Sequence, residues 1–403
     1  MHGLKITADN SRSEMEQSIS NRGIEEIIDK KSLLSRLNTG KKLRIKLGVD
    51  PTRPDIHLGH AVTLRKLREF QDLGHTVIFL IGDFTTKIGD PSGKSKTRPM
   101  LSDEEIASNA KTYFDQVGKV LDLKKTEVRY NSEWFSKMKF DDILRLVAQF
   151  TAAQILERDD FEKRLKNGSD IGIHELLYPI MQAYDSIALE ADVEMGGTDQ
   201  KFNMLAGRDL QRKMGKTPQE VITMRLLAGL DGKEKMSKSL DNYIGISEAP
   251  EIQFGKVMSL PDEMILPYFE LCTDLSEEEI AQIALRLKQE NPRDLKMELA
   301  YKIVAIYNNV ADANKAKDRF IAVFSKREIP TDIPAIEIKH GKYDPVSLLV
   351  ELKALESRSE ARRLIEQGGI RIDSEKIDSI AKEVSIKSGT IIQVGKLKYF
   401  KIK

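Results

Sequence analysis

Two histidines three positions apart, His57 and His60, have the residue type and spacing to do chemistry. They follow an alternating apolar segment at 43–49 and lie where a helical pattern begins, so we expect both in the first turn of a helix. Free backbone N–H groups, the positive end of the helix dipole and two imidazoles suit an anion such as a phosphate. Gly59 lets a bulky ligand approach the backbone. The alternative is two unrelated surface histidines, because so short a motif also matches by chance.

A polar loop at 89–98 is the second candidate, since it carries Asp90, Lys94 and Arg98. Gly89 and Gly93 enclose three residues where a Walker A motif needs four, so we exclude a P-loop nucleoside triphosphatase. One carboxylate and two cations suit a ligand that carries both an ammonium group and phosphates. A solvated basic loop is the alternative interpretation.

A third set of polar side chains is spaced four and three apart: Tyr178, Gln182 and Asp185. On a helix these three residues share one face. Apolar neighbours flank that face, so it forms a polar stripe inside an apolar surround, which is how a small-molecule pocket is lined. A solvent-facing stripe on a surface helix is the alternative.

Two glycine-containing segments complete the set. Asp199 and Gln200 follow Gly196 and Gly197 at a predicted strand end, where carboxylates commonly hold ribose hydroxyls. A later loop at 230–239 carries Lys233, Lys235 and Lys238. Taken alone, lysines in such a loop indicate little more than solubility.

The predicted elements bring these segments together. Apolar periodicity predicts a strand over 43–49, a helix over 58–73 and a buried parallel strand over 76–82. This βαβ unit is the first half of a Rossmann-like, doubly wound parallel sheet, an α/β fold whose ligands bind at the carboxyl ends of the strands. Residues 1–40 look helical, and a helical insertion at about 102–172 is expected to interrupt the sheet.

Composition narrows the class of protein. The 403 residues allow two or three domains, and 64 Lys+Arg against 63 Asp+Glu leave no global basic field, so a nucleic acid would have to be met by local patches. The single cysteine, Cys272, cannot form an intrachain disulfide. No apolar run approaches the roughly 18 residues of a membrane span, and the N-terminus lacks the apolar core of a signal peptide. We therefore expect a cytoplasmic protein.

Four segments are predicted: a catalytic domain at 1–245, an α-helical domain at 246–330, a linker at 331–344 and a small α+β domain at 345–403. The last contains 12 Lys/Arg against 8 Asp/Glu, an excess that fits an RNA phosphate footprint. A merely solvated basic face is the alternative.

The paired motifs, His57 to His60 early and Lys235 to Ser239 late, resemble those of class I aminoacyl-tRNA synthetases. Within that class, the segments 49–52, 88–93, 178–185 and 196–200 resemble the bacterial tyrosyl-tRNA synthetases. The resemblance covers residues 40–403, and six ordered motifs are far more specific than any one of them. The segment from Pro345 onward resembles the S4 RNA-binding domain that this family often carries.

The resemblance implies a role for each matching position. Asp185 would accept the phenolic hydroxyl of tyrosine, Gln200 would meet the reacting carboxylate, and three residues would hold the α-ammonium: Asp90, Tyr178 and Gln182. The ATP site would be formed by Asp50, Thr52, His57, Gly59, His60, Gly197, Asp199, Lys235, Ser237 and Lys238. The residues expected to act on the phosphates in catalysis are His57, His60, Lys94, Arg98, Lys235 and Lys238.

One position departs from the family pattern, because many relatives have a phenol-contacting tyrosine where this chain has Lys46. We place Lys46 in the tyrosine site and expect a water or another donor to share the phenol. Mg²⁺ should accompany ATP through phosphates and waters, without a dedicated protein cage. The implied partners are tRNA(Tyr), ATP, L-tyrosine and a second copy of the chain, with Phe150, Ala152, Ala153, Ile155 and Leu156 as the expected dimer surface.

Three other functions compete with this one. A tryptophanyl synthetase shares the sheet but generally lacks the S4-like tail. A small nucleotidyltransferase with the same histidine motif needs neither the lysine loop nor the tail. An RNA-binding protein on an inactive synthetase scaffold would not need all the charged site positions filled.

Overall fold

A computed structural model describes residues 22–91, 101–325, 333–355, 357–380, 383–395 and 398–403. The chain divides into two compact units. The first comprises the residues up to 248 together with 259–299, and the second comprises 249–258 together with 300–403. The predicted four-segment division differs from these units, because the predicted helical domain at 246–330 has residues in both, and it stays a prediction.

The first unit is built on a six-stranded sheet with strand order β1-β6-β5-β2-β3-β4. All neighbouring strands pair in parallel except β1 with β6, which is antiparallel. This confirms the predicted α/β sheet. The strands are β1 (Ile24–Ile27), β2 (Arg44–Val49), β3 (Thr76–Ile81), β4 (Thr126–Tyr130), β5 (Val193–Gly197) and β6 (Glu220–Met224).

The helices up to residue 320 are divided between the two units. They are α1 (Lys30–Asn38), α2 (Leu58–Asp72), α3 (Asp103–Val117), α4 (Ser132–Phe135), α5 (Phe140–Val147), α6 (Ala152–Leu156), α7 (Asp159–Lys166), α8 (Ile173–Ala188), α9 (Lys201–Lys213), α10 (Pro250–Met258), α11 (Ile265–Cys272), α12 (Glu277–Arg286), α13 (Pro292–Tyr307) and α14 (Val310–Phe320), of which α10 and α14 belong to the second unit and α13 begins in the first.

The β2-α2-β3 unit forms where the apolar pattern predicts it. Five of the six β3 side chains are buried, as expected of a strand covered on both faces. Pairing of β2 with β3 stays in register up to Val49 and Ile81, so both strands end at the same edge of the sheet. Loops that follow these two strands must therefore meet, which gives the sheet its ligand-binding edge.

Three sequence predictions about these elements need correction. The block at 102–172 contains β4, which extends the sheet instead of interrupting it, and the predicted helical N-terminal region contains β1 at Ile24–Ile27. Both are short edge strands, so few residues show their alternation. Helix α8 begins at Ile173 and therefore carries Pro179 inside it, where the sequence suggested the first turn.

The second unit contains a small α+β region with its own core. Its elements are β7 (Ala335–Ile336), β8 (Gly341–Tyr343), α15 (Pro345–Glu351), α16 (Arg358–Glu366), β9 (Ile370–Ile372), β10 (Glu375–Ile377), β11 (Val384–Ile386), β12 (Ile391–Val394) and β13 (Lys398–Ile402). Strand β7 pairs with β13 and β8 with β11, so the predicted linker at 331–344 contains sheet residues. Strands of two or three residues show no periodicity that a sequence could reveal.

No helix in the described part of the chain is long and apolar enough to cross a bilayer.

Candidate active site

A cavity of about 300 Å³ opens at the carboxyl ends of β2, β3 and β5, in the first unit. It gathers most of the side chains that the sequence proposed. Those lining it are Asp50, His57, Gly59, His60, Asp90, Tyr178, Gln182, Asp185, Gly197, Asp199, Gln200, Lys235 and Ser237.

Asp185 lies at the buried end of this cavity, with only 3% of its surface exposed. Its Oδ1 accepts a hydrogen bond from Trp134 Nε1 at 3.0 Å, and its Oδ2 accepts one from Asn131 Nδ2 at 3.4 Å. Burial raises the pKa of Asp185 to about 7, against the opposing effects of Lys46, Asn131 and Trp134. Besides the bonds from Trp134 and Asn131, the Asp185 carboxylate can accept a hydrogen bond from a neutral donor in the cavity, such as a hydroxyl.

Asp50 and Tyr178 form the next part of the wall. Tyr178 donates its hydroxyl to Asp50 Oδ2 at 2.9 Å, and Thr85 donates to Asp50 Oδ1 at 2.9 Å. Burial, followed by the charge of Asp50, raises the pKa of Tyr178 well above its ordinary value, so its phenol stays neutral. Gly82 makes room for this arrangement, because a Cβ there would overlap Asp50 Oδ1 and Thr85 Oγ1.

Gln182, Gln200 and Asp90 complete the polar wall. Gln200 Nε2 donates to Asp90 Oδ2 at 2.7 Å, and Arg158 pairs with Asp90 Oδ1 at 3.1 Å. Gln182 Nε2 donates to Glu194 Oε1 at 3.1 Å. The cavity therefore presents carboxylate and amide oxygens on one side, which are the acceptors that a primary ammonium group requires.

Lys46 does not line the cavity as the sequence analysis expected. Its side chain is fully buried behind the wall, and its Nζ lies 2.9 Å from Glu194 Oε1 and 2.9 Å from Ser186 Oγ. Lys46 on β2 faces Glu194 on β5 in the sheet register, so the two charges are adjacent as soon as the strands pair. The ammonium of Lys46 is thus committed to an ion pair within the protein. Lys46 therefore supports the cavity wall from behind and does not contact a ligand directly.

His57 and His60 mark the other end of the cavity, at the start of α2. His57 is the N-cap residue, and its backbone N–H donates to His60 Nδ1 at 3.3 Å. The ring centroids are 3.8 Å apart. Burial lowers the pKa of His60 to about 3 and that of His57 well below its ordinary value, and the nearby lysines add to both effects. Both imidazoles are therefore neutral at pH 7, and His60 can donate only through Nε2.

Lys235 and Lys238 belong to a loop that is braced against the cavity. Lys235 Nζ lies 2.6 Å from Asp199 Oδ2. Lys238 Nζ donates to Arg53 O and to Tyr113 Oη, both at 3.0 Å, and lies 4.8 Å from the Tyr113 ring centroid. Burial lowers the pKa of Lys238 to about 8, so it is still largely charged at pH 7. Both ammonium groups are therefore held by contacts that a phosphate could replace.

Several predicted residues lie elsewhere. Thr52 and Lys238 flank the cavity without lining it, and Lys94 and Arg98 lie outside the described residues. Within the described ranges, no group of three or more His, Cys, Asp or Glu side chains could hold a metal ion. The arrangement can thus bind an amino acid at one end and an anion at the other.

The sequence analysis missed the residues that support the site from behind. Trp134, Asn131 and Tyr113 come from the block at 102–172, and Glu194 comes from β5. Each lies far along the chain from its partner, so no local spacing links them. Only the in-register pairing of Lys46 with Glu194 could have been found, from an alignment of the two predicted strands.

Known proteins share both parts of this chain. The family model described as "tRNA synthetases class I (W and Y)" matches residues 38–325, and the one described as "Tyrosine--tRNA ligase SYY-like C-terminal domain" matches residues 326–402. A "Tyrosine--tRNA ligase" of Thermotoga maritima is 51% identical, with 96% of this chain and 97% of that protein covered. One from Dehalococcoides mccartyi is 50% identical, covering 97% and 99%.

Solved structures agree on the fold. A tyrosyl-tRNA synthetase of Archaeoglobus fulgidus complexed with L-tyrosine superposes with a TM-score of 0.61 at 24% identity, covering 76% of this chain and 99% of that one. A truncated mitochondrial tyrosyl-tRNA synthetase of Aspergillus nidulans gives 0.63 at 22% identity, covering 78% and 100%.

Proposed function

The chain belongs to the class I tRNA synthetases, in the group that holds the tryptophan and tyrosine enzymes, and we propose how its cavity carries out the reaction of a tyrosine–tRNA ligase. Such an enzyme activates L-tyrosine with ATP to tyrosyl-adenylate and pyrophosphate, and then transfers tyrosine to the 3′ end of tRNA(Tyr). The observation that carries the choice of tyrosine is Asp185, a buried acceptor at the closed end of the cavity.

The amino acid binds with its phenol at Asp185 and its ammonium at the opposite wall. The phenolic O–H donates to the Asp185 carboxylate, which Trp134 and Asn131 already orient. The α-ammonium is accepted by Asp90, Tyr178 and Gln182, and Gln200 meets the carboxylate. Phenylalanine would deprive the buried Asp185 of the phenolic donor, and tyrosyl-tRNA synthetases are themselves the standard example of discrimination achieved in this way.

The reaction at the other end is an in-line attack of the tyrosine carboxylate on the α-phosphate of ATP. The protein's task there is to position the reactants and to neutralise the developing charge. Asp50, Thr52, Gly59 and Gly197 border the adenylate, and Asp199 meets the ribose. Four groups donate to the phosphates: His57, His60, Lys235 and Lys238, with the Ser237 backbone beside them. Lys94 and Arg98 have the right chemistry for the same end and stay a prediction, and Mg²⁺ enters bound to ATP.

The C-terminal region supplies a surface for tRNA. On α16, Arg358, Arg362 and Arg363 are exposed, whereas Ala361 and Ile365 of the same helix are buried. Exposed cations on a rigid helix suit RNA phosphates. A cytosolic location, where charged tRNA is used, accompanies this function.

A homodimer is also part of this proposal, but through a different surface from the one expected. Ile155 is buried within the chain, and Phe150 and Leu156 are partly buried against the same internal cluster, so only part of the expected surface, including Ala152 and Ala153, is exposed. Other apolar side chains of the 102–172 block are exposed, and Phe140 and Leu144 on α5 are exposed by 74% and 51%. A two-fold contact through α5 would cover them.

Sedimentation at micromolar concentration should give twice the 45.6 kDa mass, and Phe140→Asp should reduce it to the monomer.

Pyrophosphate exchange with each of the twenty amino acids tests the proposed function. We expect exchange with tyrosine and strong rejection of phenylalanine. Exchange with tryptophan alone, or equal exchange with phenylalanine, would overturn the assignment of the Asp185 pocket.

A further inference from the structure

Three buried or half-buried amide side chains lie in a row behind the amino-acid end of the cavity. Asn203 Nδ2 donates to Gln182 Oε1 at 2.9 Å and to Gln200 Oε1 at 3.1 Å. Asn203 lies in the third position of α9 and its side chain is fully buried. It does not line the cavity, and it links two glutamines that do.

The two ends of this row are carboxylates, and they fix which way each amide is turned. Gln182 Nε2 faces Glu194 Oε1 at 3.1 Å, and Gln200 Nε2 faces Asp90 Oδ2 at 2.7 Å. Lys46 pairs with Glu194 and Arg158 pairs with Asp90, so both carboxylates act as acceptors. An amide that meets an acceptor must present its NH₂ group. Both glutamines therefore present Oε1 to the Asn203 side chain.

Asn203 must then serve as the donor to both glutamines. Its NH₂ group has two hydrogens, one for each Oε1, which uses its whole donor capacity. Its Oδ1 is buried and has no hydrogen-bond partner among the described residues. A buried acceptor without a partner is costly, so the hydrogen bonds that this amide makes are those of its two donor hydrogens.

We propose that Asn203 is a positioning residue of the amino-acid site, an inference that rests on the proposed tyrosine-activating function. Its two hydrogen bonds hold Gln182 and Gln200 at a fixed separation and in a fixed orientation. Gln182 Oε1 accepts one hydrogen bond from Asn203 and keeps its second lone pair for the ammonium, and Gln200 keeps its NH₂ at Asp90. Without Asn203 each glutamine keeps its bond to a carboxylate, but that single hydrogen bond no longer fixes the position of the amide. The separation between the ammonium and carboxylate contacts is then no longer defined.

Three variants at this position separate loss of the donors from loss of shape. Asn203→Asp keeps the shape and replaces the donors with acceptors, Asn203→Ser keeps one donor, and Asn203→Ala keeps none. Gln71→Ala is the matched control, because Gln71 is also a buried amide with three hydrogen bonds but lies away from the cavity. The readouts are the KM values for tyrosine and ATP in pyrophosphate exchange, and the unfolding temperature.

The KM for tyrosine should rise on the order of tenfold or more in Asn203→Asp and Asn203→Ala, and less in Asn203→Ser, because each lost hydrogen bond is worth roughly two- to twelvefold in affinity. The KM for ATP should stay within about twofold of the wild type. In a Gln182→Ala background, Asn203→Ala should have a smaller further effect, since one of the two glutamines through which it acts is gone.

Some outcomes overturn the inference and leave the proposed function intact. One is exchange with tyrosine by all three variants at the KM of Gln71→Ala, and another is a full, additive effect of Asn203→Ala in the Gln182→Ala background. A rise in both KM values that follows a fall in unfolding temperature would make the role structural, and it also overturns the inference. Failure of the wild-type enzyme to exchange with tyrosine would instead remove the proposed function itself.

Discussion

At the Asp185 end of the cavity the polar side chains are tied to other buried side chains, whereas at the His57 end they are tied to groups that ATP must displace. Asp185 is held by Trp134 and Asn131, and no ligand has to break either bond. Lys235 is held by Asp199, the residue that we assign to the ribose. The first end is thus organised before the substrate arrives, and we expect the second to rearrange when ATP binds.

This difference indicates how binding energy is used. A site that is already organised recognises its ligand in the ground state at little conformational cost. A site whose lysines exchange partners can make its best contacts as the transition state forms, which raises the rate without tightening ground-state binding. We therefore expect changes at the two ends to separate affinity for tyrosine from the rate of activation.

The largest effect should come from Lys46, which lies behind the wall at the Asp185 end of the cavity. Lys46→Met leaves Glu194 buried without its ion-pair partner and should lower the free energy of unfolding by about 3–5 kcal/mol. Combining it with Glu194→Gln should recover much of that loss. Lys41→Met, which removes an ion pair with Asp192 at a lysine that is 69% exposed, should change stability by less than about 1 kcal/mol. Denaturant unfolding measures all three, and equal losses in the single and double variants would contradict the role of the pair.

The next largest effect should come from residues at the His57 end of the cavity. His60→Ala and Lys235→Ala each remove a donor to the phosphates and should raise the activation barrier by about 3 kcal/mol, roughly 10²-fold in rate. The dissociation constant of tyrosine should hardly change. Lys233→Ala is the control, because Lys233 is an exposed lysine of the same loop. Rapid-quench kinetics of adenylate formation gives the rates, and an unchanged rate would remove the residue from the mechanism.

A smaller effect is expected from the charge of Asp185. Asp185→Asn should weaken tyrosine binding by roughly 1.5–3 kcal/mol, the worth of a hydrogen bond to a charged group. In the wild type, affinity for tyrosine should fall as the pH drops through about 7, because the carboxylate is then protonated. Asp185→Asn should show no such step. The fluorescence of the single tryptophan, Trp134, measured as tyrosine is added, follows binding directly, since its indole donates to Asp185.

The same residue should make the stability of the folded protein depend on pH in the opposite sense to the affinity for tyrosine. The folded-state pKa of Asp185, about 7, lies above the ordinary value of 3.8, so protonation favours the folded state. That stabilisation is complete below pH 3.8 and is lost as the pH rises through 7. Asp185→Asn cannot ionise and should unfold at a higher temperature than the wild type at pH 8. A lower unfolding temperature at that pH would show that the buried charge is better compensated than its surroundings suggest.

The smallest effect on activation should come from removing the C-terminal region. A chain that ends at Ser325 keeps every described residue assigned to tyrosine and ATP, and it avoids leaving β7 and β8 without their partner strands. Exchange should continue at a near-normal rate. Aminoacylation should show a raised KM for tRNA and a flatter dependence on salt, because phosphate contacts are lost. Equal loss of both activities would place this region within the catalytic fold.

Local patterns predicted the parts of the site that are local in the chain. The strand, loop and helix around His57 and His60, and the shared face of Tyr178, Gln182 and Asp185, follow from spacing within one segment. The short edge strands β1 and β4 were missed, because their few residues show little periodicity and tertiary pairing decides their state.

The supporting residues could not be predicted in the same way. Asn131 and Trp134 reach Asp185, and Asn203 reaches Gln182, only after separate segments have packed. Within its own segment, nothing distinguishes any of them from an ordinary polar or aromatic residue. Lys46 was placed in the tyrosine site by analogy with relatives, and the neighbouring strand supplied a carboxylate that captures it. Local spacing thus pointed to residues that line the cavity, and it could not point to the residues that hold them in place.

Equilibrium dialysis of tyrosine in the absence of ATP tests the central difference between the two ends most directly. If the Asp185 end is already organised, one tyrosine should bind per chain without ATP, and Lys235→Ala should bind it with the same dissociation constant as the wild type. Binding of tyrosine that requires ATP, or that weakens together with the activation rate in Lys235→Ala, would contradict this account.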